Sequence, residues 1–131
     1  MNQFIKVPDA LLASRIQGHF MKEDFHRHGK KFLKNVADAL GLEKATFDVR
    51  SNKGGDAVSG EVTLHTDSLY VQMYGYGQNG VQIMYRTCEG RKDYHGGRNH
   101  FAFISELVDP AKQREFIKNL RLMADLESVA A

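Results

Sequence analysis

Between Arg86 and His100 the chain sets Arg86, Arg91, Lys92 and Arg98 among Gly90, Gly96 and Gly97, with Tyr94, His95 and His100 interleaved. Guanidinium groups hold carboxylate or phosphate through paired hydrogen bonds, and glycines let a backbone approach an anion closely, so the stretch reads as an anion-contacting loop. Glu89 and Asp93 offset part of its charge, as they would in an ordinary solvated connection. No phosphate-binding fingerprint is present. Gly75-Tyr76-Gly77-Gln78-Asn79-Gly80 has the Gly-x-Gly-x-x-Gly spacing, but residues 81–85 alternate like a strand, whereas that fingerprint opens a helix.

A second set is defined by alternation. Tyr70, Gln72 and Tyr74 in one run and Gln82 and Met84 in the next occupy one parity, while Leu69, Val71, Met73, Val81 and Ile83 occupy the other. The apolar parity suits a core. The Tyr/Gln/Met parity has no charge before Arg86, which is unusual for a sheet face kept in water. Tyrosine, methionine and glutamine combine large contact area with adaptable hydrogen bonding, so this face is expected to meet a macromolecular partner or a second copy of the chain. Single-stranded nucleic acid stacking on Tyr70 and Tyr74 is the other use of such a face, although the basic and aromatic consensus of RNA-binding sheets is missing.

Catalytic readings find less. His26 and His28 stand two apart on a predicted helix and point to different faces, so they do not share an ion. His95 and His100 flank Gly96-Gly97 and with Asp93 or Asn99 outline the alternative, a small metal-dependent nuclease that activates water at a bound ion. Their spacing is no ligand signature, so neither metal nor cofactor is expected. Cys88 beside Glu89 has its thiol pKa raised rather than lowered, which disfavours a cysteine nucleophile. There is no Gly-x-Ser-x-Gly turn and no paired-carboxylate motif. No residue is assigned a catalytic role.

The elements that must position these residues emerge from apolar periodicity. Pro8 with Leu11, Leu12 and Ile16 predicts a short helix ending near Gly18. Phe25, Phe32, Val36 and Leu40 form the stripe of a second helix over 21–40, capped by Gly41, with Lys30, Lys31 and Lys34 outside it. From Ala45 the period becomes two, and four strands are predicted around Phe47, Val62, Val71 and Ile83, joined by connections short enough for an antiparallel meander. Phe101 to Leu107 reads as a helical turn, and Asp109-Pro110 opens a final helix running to about Glu127 along Phe116, Leu120 and Met123. The fold class is therefore α+β: a four-stranded antiparallel sheet with N-terminal helices and a C-terminal helix on one face, in a single domain covering 1–131.

Eighteen Lys and Arg against sixteen Asp and Glu give a formal charge of +2, too small to single out a nucleic-acid binder. Cys88 is the only cysteine, which removes disulfide scaffolds and multi-cysteine zinc folds and fits a reducing cytoplasm. Lys6, Asp9 and Arg15 interrupt the first apolar stretches, so no signal peptide is expected, and the uncharged run 68–85 is a glutamine- and glycine-broken hairpin rather than a membrane span.

The string Tyr85-Arg86-Thr87-Cys88-Glu89-Gly90-Arg91-Lys92-Asp93-Tyr94-His95-Gly96-Gly97-Arg98-Asn99 resembles one found in small uncharacterised proteins of bacteriophages and mobile elements. The resemblance implies a context: proteins of this kind act by binding host machinery, including defence systems, replication proteins or nucleic acid. The residues and the resemblance together predict a small cytoplasmic protein that works by binding. Its partner is a host protein or a protein–nucleic acid complex, without a membrane. The contacts are expected from Tyr70, Gln72, Tyr74, Gln82, Met84, Arg86, Arg91, Lys92, Tyr94 and Arg98.

Overall fold

The computed structural model describes residues 4–13, 15–54, 59–75, 80–91, 93 and 97–124. Lys92, Tyr94 and His95, and the stretch of the expected final helix beyond Ala124, lie outside the described residues.

Helix α1 (Gly18–Leu40) forms where the 3.6-residue stripe is clearest, with Phe25, Phe32, Leu33, Val36, Ala37 and Leu40 all buried. Gly41 ends it in the left-handed region at φ 76°, and the Leu42 N–H returns to the Ala37 carbonyl at 3.0 Å. Only a residue without a Cβ adopts that closure freely. The helix predicted ahead of it is instead one 3-10 turn, Asp9–Leu11. Ile5, Val7, Leu11 and Ile16 are buried from a segment that has no regular secondary structure apart from that turn among its described residues, and their spacings of two, four and five fit no helical stripe. Gln113 holds that segment: its side-chain amide accepts from Ile5 N at 2.8 Å and donates to Ile5 O at 2.7 Å, as a neighbouring strand would.

The sheet has five strands in the order β1 (Phe47–Asn52), β2 (Glu61–Thr66), β3 (Leu69–Gly75), β4 (Val81–Thr87) and β5 (His100–Phe103), every neighbouring pair antiparallel. The expected four-stranded meander is thus extended by one. Residues 100–103 are extended because they pair with Gln82 to Tyr85, and the 3-10 turn begins only at Ile104. Helix α2 (Pro110–Met123) starts as predicted, with Asp109 accepting from Ala111 N at 3.3 Å and Pro110 in the first turn.

The core lies between the helices and one sheet face. Gly29 of α1 comes against Val62 and Met73, and Phe116 of α2 meets the Tyr85 ring edge-on at 5.4 Å. Ile16 covers Gly75. Each large apolar side chain buried there contributes about 1.5–3 kcal/mol by leaving water. Among the described residues, no helix is long and apolar enough to cross a membrane.

Candidate contact face

Register defines three rows on the sheet face turned away from the helices. Asp48, His65, Tyr70 and Arg86 form one; Arg50, Thr63, Gln72, Met84 and Phe101 the next; Asn52, Glu61, Tyr74, Gln82 and Phe103 the last. The side chains behave differently from row to row.

The first row is closed from His65 to Arg86, while the Asp48 side chain at its β1 end is 46% exposed. His65 is fully buried, Tyr70 and Arg86 are each 6% exposed, and Met84 beside them is 8% exposed. The Arg86 guanidinium lies 4.4 Å above the Tyr70 ring centroid, and His65 packs edge-on against that ring at 4.8 Å. Arg86 also reaches Asn99 Oδ1 at 3.5 Å. Arg50 Nη2 approaches His65 Nδ1 at 2.7 Å, and because a guanidinium only donates, Nδ1 accepts and the ring proton sits on Nε2. Burial, followed by the Arg50 charge, pushes the His65 pKa down, while a hydrogen bond with the Gly90 backbone works against that.

Arg91 ties the segment after β4 back to the start of the sheet. It donates to the Ala45 carbonyl and forms ion pairs with Asp48 at 3.6 Å and Asp67 at 3.4 Å. The segment after β4 is thereby tied to both ends of the β1–β2 hairpin. The Arg91 fork is directed at protein carboxylates, whereas Arg98 is exposed.

Gln72, Tyr74 and Gln82 remain half-buried, and Phe103 beside them is similar. Phe101 is 56% exposed. Tyr74 Oη donates to Gln82 Oε1 at 2.9 Å across the β3–β4 pair, and burial raises its pKa. These five residues form an uncharged strip over β3, β4 and β5. Sequence reasoning found three of them and missed Phe101 and Phe103, because apolar residues fall on both parities of His-Phe-Ala-Phe-Ile and mask the period of two.

No protein-family model, curated protein or solved structure matches this chain. The chemistry of the face itself carries the functional reading.

Among the described residues, no group of three or more His, Cys, Asp or Glu side chains converges as metal ligands would. His100 stacks on Tyr85 at 5.4 Å and 23° on the core side of β5. The Cys88 thiol pKa is raised, first by burial and then by the carboxylates of Asp93 and Asp67, and its Sγ reaches the Thr66 carbonyl at 3.4 Å.

One polar cluster was not singled out from sequence. His26, buried in α1, meets the Ser59 carbonyl through Nε2 at 2.7 Å and Ser51 Oγ through Nδ1 at 2.6 Å. A carbonyl only accepts, so Nε2 carries the proton and Nδ1 accepts from the serine. Burial lowers the His26 pKa; the Ser59 carbonyl opposes this and Lys53 and Lys22 add to it. Ser59 Oγ in turn donates to Gly60 O at 2.7 Å and accepts from Gly75 N at 2.8 Å. The cluster fastens α1, β1 and the β2–β3 hairpin together.

Proposed function

We propose that this chain is a non-enzymatic binding protein whose open sheet face contacts a host protein or a protein–nucleic acid assembly. The observation that carries this is the uncharged strip of Gln72, Tyr74, Gln82, Phe101 and Phe103, left exposed or half-exposed on the face opposite the helices. A solvated antiparallel face ordinarily carries charge, and aromatic side chains with adaptable amides suit a protein contact. The resemblance of residues 85–99 to strings in bacteriophage and mobile-element proteins supports a host target in the cytoplasm, with inhibition of a defence system as one such role.

Within this reading the closed row is scaffold. Buried Tyr70 and Arg86 border the strip, buried Met84 sits between Gln72 and Phe101, and exposed Arg98 precedes β5. Affinity capture from bacterial lysate, with and without nuclease, tests the proposal. The tagged chain should retain a discrete protein after nuclease treatment, and Tyr74→Glu should lose it while keeping the wild-type circular dichroism spectrum. Retention that vanishes with nuclease would instead make nucleic acid the direct ligand. The alternative, a metal-dependent nuclease acting through His95 and His100, requires chelator-sensitive cleavage of nucleic acid by the purified chain.

A further inference from the structure

We propose that β5 pairs with β5 of a second copy of this chain, running antiparallel about a twofold axis normal to the sheet and midway between the two strands. The two edges of the sheet differ in kind. β1, at one edge, carries Asp48 and Arg50, and Asp48 is bound to Arg91 while Arg50 is bound to Asp48 and His65. Charged side chains on an edge oppose further strand addition. β5, at the other edge, reads His-Phe-Ala-Phe and has no Asp, Glu, Lys, Arg or proline within the strand; its Phe103 N–H is held by the Glu106 carboxylate at 3.0 Å, a bond that a pairing strand replaces, freeing Glu106. Its Phe101 side chain is 56% exposed on the open face.

What identifies the occupant is the polarity of the segment. Exposed Arg98 stands just before β5, and exposed Glu106 and Asp109 come after its exit. Laid antiparallel, two copies bring the basic end of each against the acidic end of the other, twice. A parallel pair would set like charges together. An axis normal to the sheet also keeps both open faces on the same side, so Phe101 and Phe103 of one copy lie beside those of the other as cross-strand aromatic pairs. The contact is then isologous, which is the usual form of a homodimer. The product is one ten-stranded sheet whose two uncharged strips form a single surface. This inference rests on the edge and its charges and stands apart from the identity of any host partner.

Analytical ultracentrifugation of the full chain over a concentration series tests it. The wild type should pass from monomer to dimer as concentration rises. Phe101→Lys should stay monomeric over the same range with an unchanged melting profile, since that side chain is largely in solvent. Arg98→Glu and Glu106→Lys should each weaken the dimer about tenfold, because every substitution removes two symmetric ion pairs of modest strength. The combined exchange should restore it. Glu106 also accepts from Phe103 N at 3.0 Å, and the exchange does not replace that bond, so restoration reports the intermolecular pair specifically. A wild type that stays monomeric up to millimolar concentration overturns the proposal. So does a dimer that survives Phe101→Lys, or single charge reversals that the double exchange fails to rescue.

Discussion

The guanidinium of Arg86 lies over the ring of Tyr70, 4.4 Å from its centroid, and both side chains are buried on the sheet face turned away from α1 and α2. A cation held over an aromatic ring and sheltered from water is worth about 0.5–2 kcal/mol, so the pair stabilises the sheet it stands on.

Tyr70 and Tyr74 share a strand and a face, yet they should respond very differently to truncation. Tyr70→Ala removes a buried ring between His65 and Arg86, and urea unfolding should show a loss of about 3 kcal/mol or more. Tyr74→Ala removes a half-buried ring with one hydrogen bond to Gln82 and should lose about 1 kcal/mol. Equal losses would mean that the first row is as open as the strip beside it.

Acid should weaken the fold through two histidines. The pKa values of His26 and His65 are both depressed in the folded chain, so the unfolded chain binds protons more readily. Their stabilising effect is complete above the unfolded value of about 6.5 and is lost as pH falls below it through the folded values. The urea midpoint should therefore decline below about pH 6.5. His26→Gln should flatten that decline, because it removes a buried group that must take up a charge on protonation. A wild-type midpoint that holds steady through this range would contradict the lowered pKa values of His26 and His65.

Gly60 adopts φ +70°, where a side chain is strained, and a methyl group there would collide with the Asn52 carbonyl and stand 3.1 Å from His26 Nε2. Gly60→Ala should cost about 2 kcal/mol or more in denaturant unfolding, through both the backbone and the His26 cluster. A change below about 0.5 kcal/mol, typical of surface sites, would place that contact elsewhere.

The sequence signals that survived folding were local ones. The Phe25, Phe32, Val36 and Leu40 stripe, the Gly41 closure and the Asp109-Pro110 start each depend on residues within a turn or two, and α1 and α2 form where they predict. The alternation from Phe47 to Ile83 likewise becomes β1 to β4. The hidden features depend on distant partners. Residues 100–103 become a strand only by pairing with β4, and the backbone of Ile5 takes its hydrogen bonds from Gln113, 108 positions away in the chain. Buried Tyr70 and Arg86 pack on each other and on His65 from three strands, and Arg91 reaches Ala45, Asp48 and Asp67, contacts between distant residues that no alternation pattern encodes.

The most direct test of the contact face is site-specific photocrosslinking in bacterial lysate, with benzoylphenylalanine placed at Gln72 on the open face or at Lys34 on the outer side of α1. The Gln72 position should yield a discrete protein adduct that survives nuclease treatment and disappears when Tyr74→Glu is added, while the Lys34 position yields none. Adducts formed from Lys34 and absent from Gln72 would place the contact on the helical side and contradict the account.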